Sequence, residues 1–442
     1  MDPADLPSQR RLRVLILTKL FPNAVNKHGM AFNRQQFVAL SRLCDVEMFG
    51  LIPWFPGAQL FSHRSDAGRW RAVPSQECID GLNVSHPRAL FFPRFGHAAN
   101  PWTFALSLLP AVWPLRKKVD VILGSWAYPD GVAAILLGRW LRLPVVVKVH
   151  GSDLNSLPDR DSIRRVLARG LPRANRLVAV SRALAAKARE FGVAADRIAL
   201  VPNGVDRALF RPCDRTDARR ELELPDGRLL LFVGRLEASK GVLDLLQAFE
   251  KIAHRSPELR LAVVGDGTET ACCREAQSRW PGRIFVPGAQ PLAKVARWIA
   301  ACDVLTLPSW NEGSPNVVIE AIASGRRVVA SRVGGIPDML DSAVVGEMVA
   351  ARRPDELAEA LSRAAQTTYD PLSVAAAGPV DWHGSARVLL QVLLSARDGS
   401  PLPKELRVDL SEGSCPHQSC DGSRRQASAP GIVMPGPETA VE

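Results

Sequence analysis

The sequence predicts an α/β protein of two successive Rossmann-like domains followed by a last helix. Three observations predict it. Short, continuous apolar runs recur along the chain, as buried parallel strands do. Helical patterns separate them, which makes βαβ units. The alternation then restarts once, beyond a charged stretch from Val205 to Asp226 that carries Pro212 and Pro225.

The elements follow in order. After a polar leader, Arg13 to Thr18 is the first strand, then Asp120 to Gly124, Pro144 to Val149, Arg176 to Val180 and Ile198 to Pro202. Helices are expected at Asn33 to Leu43 and Arg182 to Phe191. The second set of strands is Leu229 to Gly234, Arg260 to Gly265, Ile284 to Gly288, Asp303 to Pro308, Arg327 to Ser331 and Gly346 to Ala350. Val242 to His254 and Asn316 to Ser324 are helices among them. The domains are therefore expected at 1–206 and 207–380, since 442 residues exceed one ordinary core. Val388, Leu389, Val392 and Leu393 share one face of a last helix over 381–397. The Ser-, Gly- and Pro-rich stretch 398–442 reads as a disordered tail.

Composition narrows the partners. Hydrophobic residues make up 47% and charged residues 23%, so the main body is not disordered. The net charge is +11, yet residues 398–442 hold four basic and seven acidic residues, so the basic character belongs to the body. Acidic small substrates and an anionic membrane surface are candidate partners. Nucleic acid has only the net charge in its favour and is not expected. Eight scattered cysteines fit reduced thiols in the cytoplasm. Cys415, His417 and Cys420 do not complete a tetrahedral metal site. The start reads as no signal peptide, and no run of about 18 apolar residues predicts a spanning helix.

The segment from Ser309 to Leu340 carries the most chemistry. A strand ends at Leu307, and a loop with Glu312, Gly313 and Ser314 follows. Pro315 suits a first helical turn, where its missing N–H is no loss. In open α/β sheets ligands bind beyond the carboxyl ends of strands. The free N–H groups of Ser314, Asn316 and Val317 would meet a diphosphate there. Glu312 in the loop and Glu320 down the helix could accept from hydroxyls on either side of it, one on a sugar ring and one on a ribose. Arg235 and Lys240, also after a strand, are apt for a leaving diphosphate whose charge grows as the glycosidic bond breaks. His150 and Gly151 follow a first-domain strand, where glycine lets the backbone approach a ligand.

Glu312 and Glu320 with GSPN between them and Gly334-Gly335-Ile336-Pro337 beyond resemble the family 4 glycosyltransferases of the GT-B fold. FVGRLEASKG (232–241), HGSDLN (150–155), VSRAL (180–184), VPNGVD (201–206) and GDG (265–267) are similar to segments of the same family. The resemblance spans about Arg11 to Ala396 and is nearest to enzymes of teichuronic-acid and exopolysaccharide synthesis. It implies a retaining transfer from a nucleotide sugar with no cofactor and no metal. It implies that Arg235 and Lys240 bind the diphosphate, that His150 contacts the donor sugar, and that Gly267 approaches base or ribose. It implies that the two domains face a cleft with Asn203 near it, and that the helix over 381–397, which opens on Asp381-Trp382, crosses back to the first domain. Many members carry a Gly-Gly pair after the first strand; here His28 and Gly29 stand in its place on the acceptor side.

The acceptor is expected to be a glycan or lipid-linked glycan. Phe91 to Trp113, followed by Arg116, Lys117 and Lys118, mixes aromatic, apolar and basic residues. Two readings stand: an interfacial helix at the inner face of a membrane, or a core or acceptor-cleft helix. Two rivals to the transferase are a nucleotide-sugar epimerase of the same architecture and a non-catalytic sugar-binding subunit. The full set of candidate cations and carboxylates argues against both.

Overall fold

A computed structural model describes residues 10–27, 30–57, 69–92, 96–157 and 160–408. The first sheet draws on β1 (Arg13–Thr18), β2 (Asp45–Gly50), β4 (Gln76–Ile79), β5 (Leu82–Ser85), β7 (Val121–Ser125), β8 (Val145–Val149), β9 (Arg176–Ala179) and β10 (Ile198–Leu200). Its order is β10-β9-β8-β7-β1-β2-β5-β4, parallel except for the β4–β5 hairpin. A separate parallel pair joins β3 (Ile52–Trp54) to β6 (Arg88–Leu90). The second sheet comprises β11 (Arg228–Val233), β12 (Leu259–Val264), β13 (Ile284–Gly288), β14 (Val304–Leu307), β15 (Arg327–Ser331) and β16 (Gly346–Val349). Its order is β13-β12-β11-β14-β15-β16, all parallel.

Each sheet has one topological switch point. In the first it lies where β1 pairs with β7, and in the second where β11 pairs with β14. Loops leaving neighbouring strands there turn to opposite faces and leave a crevice at the carboxyl edge. The central strands are buried on both faces, which is why they read as unbroken apolar runs.

Helices cover both faces. In chain order, those that bear on the site are α1 (Ala31–Ser41), α2 (Asn100–Val112), α3 (Val132–Leu141), α4 (Ser152–Asn155), α5 (Asp161–Gly170), α6 (Arg182–Glu190), α7 (Arg215–Glu221), α8 (Val242–Ala253), α9 (Thr270–Arg279), α10 (Leu292–Ala301), α11 (Asn316–Ala323), α12 (Pro354–Gln366), α13 (Pro371–Ala376) and α14 (Trp382–Asp398). The expected crossover is α14. Asp381 caps it by accepting from the Gly384 N–H at 2.7 Å. Trp382, Ala386, Leu389, Val392 and Leu393 are buried with β-strand residues of the first domain. A C-terminal segment thereby completes the core of the N-terminal domain.

Two expectations need correction. The first sheet has strands the periodicity did not reveal, β2, β4 and β5; β4 is partly exposed throughout and β2 is so over its first half, so neither is a continuous apolar run. The stretch read as a tail from 398 is folded as far as 408. Leu402, Leu406 and Val408 are buried, and Arg407 bridges to Ala199 beside β10. Three apolar side chains in a polar stretch suffice to dock it on an edge strand. Residues 409–442, with Cys415, His417 and Cys420, lie outside the described residues, as do His28 and Gly29.

Candidate active site

The second domain brings its two motif loops together because they leave the adjacent strands β11 and β14. The Trp310 N–H donates to the Ser239 carbonyl at 2.9 Å, and the Trp310 indole N–H donates to Asp244 at 2.7 Å. The Arg352 guanidinium covers the indole at 4.2 Å. Held in this way, Lys240 Nζ lies 2.8 Å from Glu312 Oε1, which also accepts from Ser309 Oγ at 2.8 Å. The cation assigned to a diphosphate and the carboxylate assigned to a sugar therefore neutralise each other. Arg235 is half-exposed and pairs with Glu237 at 2.8 Å.

Helix α11 begins beside this pair. Pro315 is its N-cap residue, in an extended conformation, with Asn316 the first helical residue. The helix thus starts at Asn316, as read from the sequence, and ψ of 113° holds Pro315 just outside its first turn. Among the described residues no side chain caps α11 and none bonds the buried Ser314 hydroxyl, so the N–H groups of Asn316 and Val317 stay available beside it. One turn on, Glu320 is half-buried with no hydrogen bond or ion pair to its carboxylate among the described residues. Burial pushes its pKa up to about 7. Gly267 supports the other loop: its N–H donates to Asp266 and Thr270, while the Asp266 carbonyl accepts from Leu236 N–H at 2.9 Å.

The first domain presents His150 at the end of β8. Its ring packs on Phe32 of α1, at 4.9 Å between centroids, and stacks with Trp126 at 6.1 Å. His150 Nε2 lies 2.8 Å from Ser125 Oγ, and Ser125 Oγ donates to Asn33 Oδ1 at 3.2 Å. Asn33 is oriented by its own amide, which donates to Leu20 O at 2.8 Å. The serine hydrogen is thus used on Asn33, so Ser125 accepts from the imidazole. This places the ring proton on Nε2 and leaves Nδ1 an acceptor. The His150 pKa is held well below 6.5, first by burial and then by the Lys148 charge, so the ring is neutral. Asp153 braces the loop by accepting from the N–H groups of Ala127, His150 and Gly151.

The two halves meet at these loops. A methyl on Gly313 would stand 2.2 Å from the His150 carbonyl oxygen and 2.9 Å from Gly151 Cα. Gly151 therefore makes room for the opposite domain. Gly334, at φ +54°, makes room within the second domain, since a Cβ there would strike the Glu312 carbonyl at 1.8 Å. Asn203 Nδ2 donates across the cleft to Asn316 Oδ1 at 2.9 Å, Asn155 to Asn311 at 3.2 Å, and the Arg182 N–H to Asp338 at 2.6 Å.

The geometry unites His150, Lys240, Glu312, Gly313, Ser314, Pro315, Asn316, Val317 and Asn203 along one seam, with Glu320 a turn further along α11. Arg235 and Gly267 flank it. Sequence reasoning missed Ser125, Asn33, Phe32, Trp126 and Asp153. Asp153 left a signal by standing in the HGSDLN string, whereas Trp126 is marked only in the structure, by a φ of +108°.

A model described as Glycosyltransferase Family 4 matches residues 59–209, and one described as Glycosyl transferases group 1 matches residues 227–367. A D-inositol 3-phosphate glycosyltransferase of Nocardiopsis dassonvillei is 30% identical over 321 residues, which is 66% of this chain and 73% of that one. The chain belongs to the family 4 glycosyltransferases. The transferase is also similar to TuaC of Bacillus subtilis, assigned to teichuronic acid biosynthesis as a glycosyltransferase, at 28% identity over 80% of this chain and 89% of that one. Among solved structures, HepE of Anabaena in complex with UDP has a TM-score of 0.65 at 18% identity, covering 87% of this chain and all of that one. Sucrose-phosphate synthase of Thermosynechococcus elongatus has a TM-score of 0.68 at 21% identity, covering 88% of this chain. Both likenesses show the GT-B fold. No described helix of the transferase is long and apolar enough to cross a membrane.

Proposed function

We propose that the transferase moves a hexose from a nucleotide-sugar donor, with retention at the anomeric carbon, to a glycan or lipid-linked glycan of a cell-surface polysaccharide or exopolysaccharide. The observation that carries this reading is the seam itself. Lys240, Glu312 and an uncapped helix end from one domain face a neutral histidine from the other. Solved HepE is described with UDP, with UDP and glucose, and with UDP-glucose, so uridine diphosphate sugars are the first donors to test.

In this reading the donor diphosphate takes Lys240 away from Glu312 and lies on the N–H groups of Asn316 and Val317. Arg235 closes over it. Glu320 accepts from ribose hydroxyls and Gly267 lines the base side. Glu312, released, accepts from a sugar hydroxyl and stabilises positive charge at the ring. His150 accepts at Nδ1 from another hydroxyl of the same sugar. The acceptor oxygen bonds to the anomeric carbon as the bond to the diphosphate breaks. The acceptor proton passes to the departing phosphate oxygen on the same face. Charge neutralisation falls to protein groups, so the reaction needs no metal.

A thermal-shift and hydrolysis panel of nucleotide sugars tests the donor. One nucleotide sugar is expected to stabilise the protein and to turn over, with activity unchanged by a chelator. NMR of the glycoside is expected to show the donor's anomeric configuration. An inverted product would sink the retaining mechanism, and silence across the panel would return the non-catalytic reading.

A further inference from the structure

Helix α2 has no charged residue in Asn100–Val112. Phe104, Ala105, Leu108 and Val112 face the first-domain core, which is the stripe the fold requires. The opposite stripe is also apolar: Trp102, Leu106 and Trp113 are 52%, 58% and 48% exposed. They follow at spacings of four and seven, so they line one outer face. Folding gives no reason for it, and an all-round apolar helix on a surface is waiting for a contact.

Charge names the contact. Arg116, Lys117 and Lys118 follow directly and are exposed, with the Arg116 guanidinium 4.6 Å over the Trp113 ring. The neighbouring helices add exposed Arg139 on α3, whose Trp140 meets Trp102 at 6.0 Å, and Arg164, Arg165 and Arg169 on α5. Against them α5 sets Asp161, the one exposed acid on these three helices among the described residues. Indole rings at an apolar edge with cations beside them match the boundary between acyl chains and anionic headgroups.

Position adds a reason. The amino end of α2 is tied to the candidate site, because Asn100 Nδ2 donates to the Tyr128 hydroxyl at 3.2 Å and Tyr128 lies two residues from Trp126. Phe92 and Trp54, also exposed, continue the apolar rim there.

We propose that the outer face of α2, flanked by Arg116, Lys117 and Lys118, docks the transferase on an anionic bilayer with the cleft opening at headgroup level. The face extends the reading of a lipid-linked acceptor and is independent of the donor chemistry. The full-length protein is floated with phosphatidylcholine vesicles, with and without phosphatidylglycerol. Flotation is expected only with the anionic lipid and is expected to fall with salt. Arg116→Glu with Lys117→Glu and Lys118→Glu is expected to weaken binding about a hundredfold or more. Trp102→Ala with Leu106→Ala and Trp113→Ala is expected to weaken it at least about tenfold. Both variants should keep the wild-type thermal midpoint and nucleotide-sugar shift, which separates this test from that of the donor. Absence of flotation, equal flotation on neutral lipid, or wild-type flotation by both variants would overturn the proposal. So would a concentration-dependent dimer that Leu106→Asp abolishes without any lipid binding, which would give the face to a second copy.

Discussion

Substituting alanine at Gly313 asks whether the observed approach of the two domains is the productive one. A methyl there would lie 2.2 Å from the His150 carbonyl oxygen. Carbon and oxygen do not normally approach closer than about 3.0 Å, so the loops must separate by about 1 Å. Neither side can yield alone. The His150 loop is held by three N–H bonds to Asp153, and the Glu312 loop is pinned through Trp310 to the Lys240 loop. The separation therefore falls between His150 and Glu312, the two groups proposed to hold the sugar. A displacement of about 1 Å in a reacting pair costs on the order of a hundredfold in rate. Gly313→Ala is expected to lose about that factor in kcat/KM for donor hydrolysis. Its thermal midpoint should move little, because the contact lies between domains and not within a core. Wild-type turnover in this variant would refute the reasoning: the domains would then work in a more open arrangement.

Four further outcomes follow from single groups. Glu312→Gln keeps the Ser309 bond and loses the pair with Lys240; kcat is expected to fall roughly 10²- to 10³-fold in steady-state assays. Glu320 has its pKa raised from 4.5 to about 7, so the native state holds a proton that the unfolded chain has released. Ligand-free stability should therefore fall as pH rises from about 4.5 to about 7, and Glu320→Gln should flatten that part of a chemical-denaturation series. Ser125→Ala releases the His150 ring and is expected to raise the donor KM about tenfold, while ¹⁵N NMR loses the Nε2-protonated signature. Asp303 is buried and accepts from Arg219 at 2.7 Å and from the Leu229 N–H at 2.6 Å, with Arg215 also bonded to it. Asp303→Ala leaves those donors stranded, which costs about 3 kcal/mol or more and is expected to lower the calorimetric midpoint by roughly 10 °C.

The second domain was the more legible one, for a physical reason. Its six strands are the six apolar runs read from the sequence, since a parallel sheet covered by helices on both faces must be apolar throughout. The first domain ends in β2, β5 and β4, partly exposed and in part antiparallel, and such strands alternate or mix their residues. The candidate site divides in the same way. Glu312, Pro315 and Lys240 lie in loops whose chemistry is local and therefore written in a contiguous string. The His150 environment is assembled from Phe32, Asn33, Ser125 and Trp126, which lie far apart along the chain, so no spacing records it. The Lys240–Glu312 pair was also not legible. Each residue was read against an absent ligand, and without one opposite charges on facing loops find each other.

That pair bears on how a donor enters. Glu312 is nearly buried and, among the described residues, is neutralised by Lys240 alone and hydrogen-bonded by Ser309. A nucleoside diphosphate that captures Lys240 leaves Glu312 with Ser309 alone, and a buried carboxylate without its cation is costly. A sugar hydroxyl offers a replacement bond; a bare nucleoside diphosphate offers none. The sugar should therefore add more affinity than its own contacts supply. Removing the carboxylate's charge should erase that difference. In wild-type protein the nucleotide sugar is expected to bind about tenfold tighter than the matching nucleoside diphosphate by calorimetry. In Glu312→Gln the two are expected to bind alike, with the diphosphate tighter than before because Lys240 is no longer engaged. Weaker diphosphate binding in that variant would mean that Glu312 holds Lys240 in place for the donor and does not compete for it.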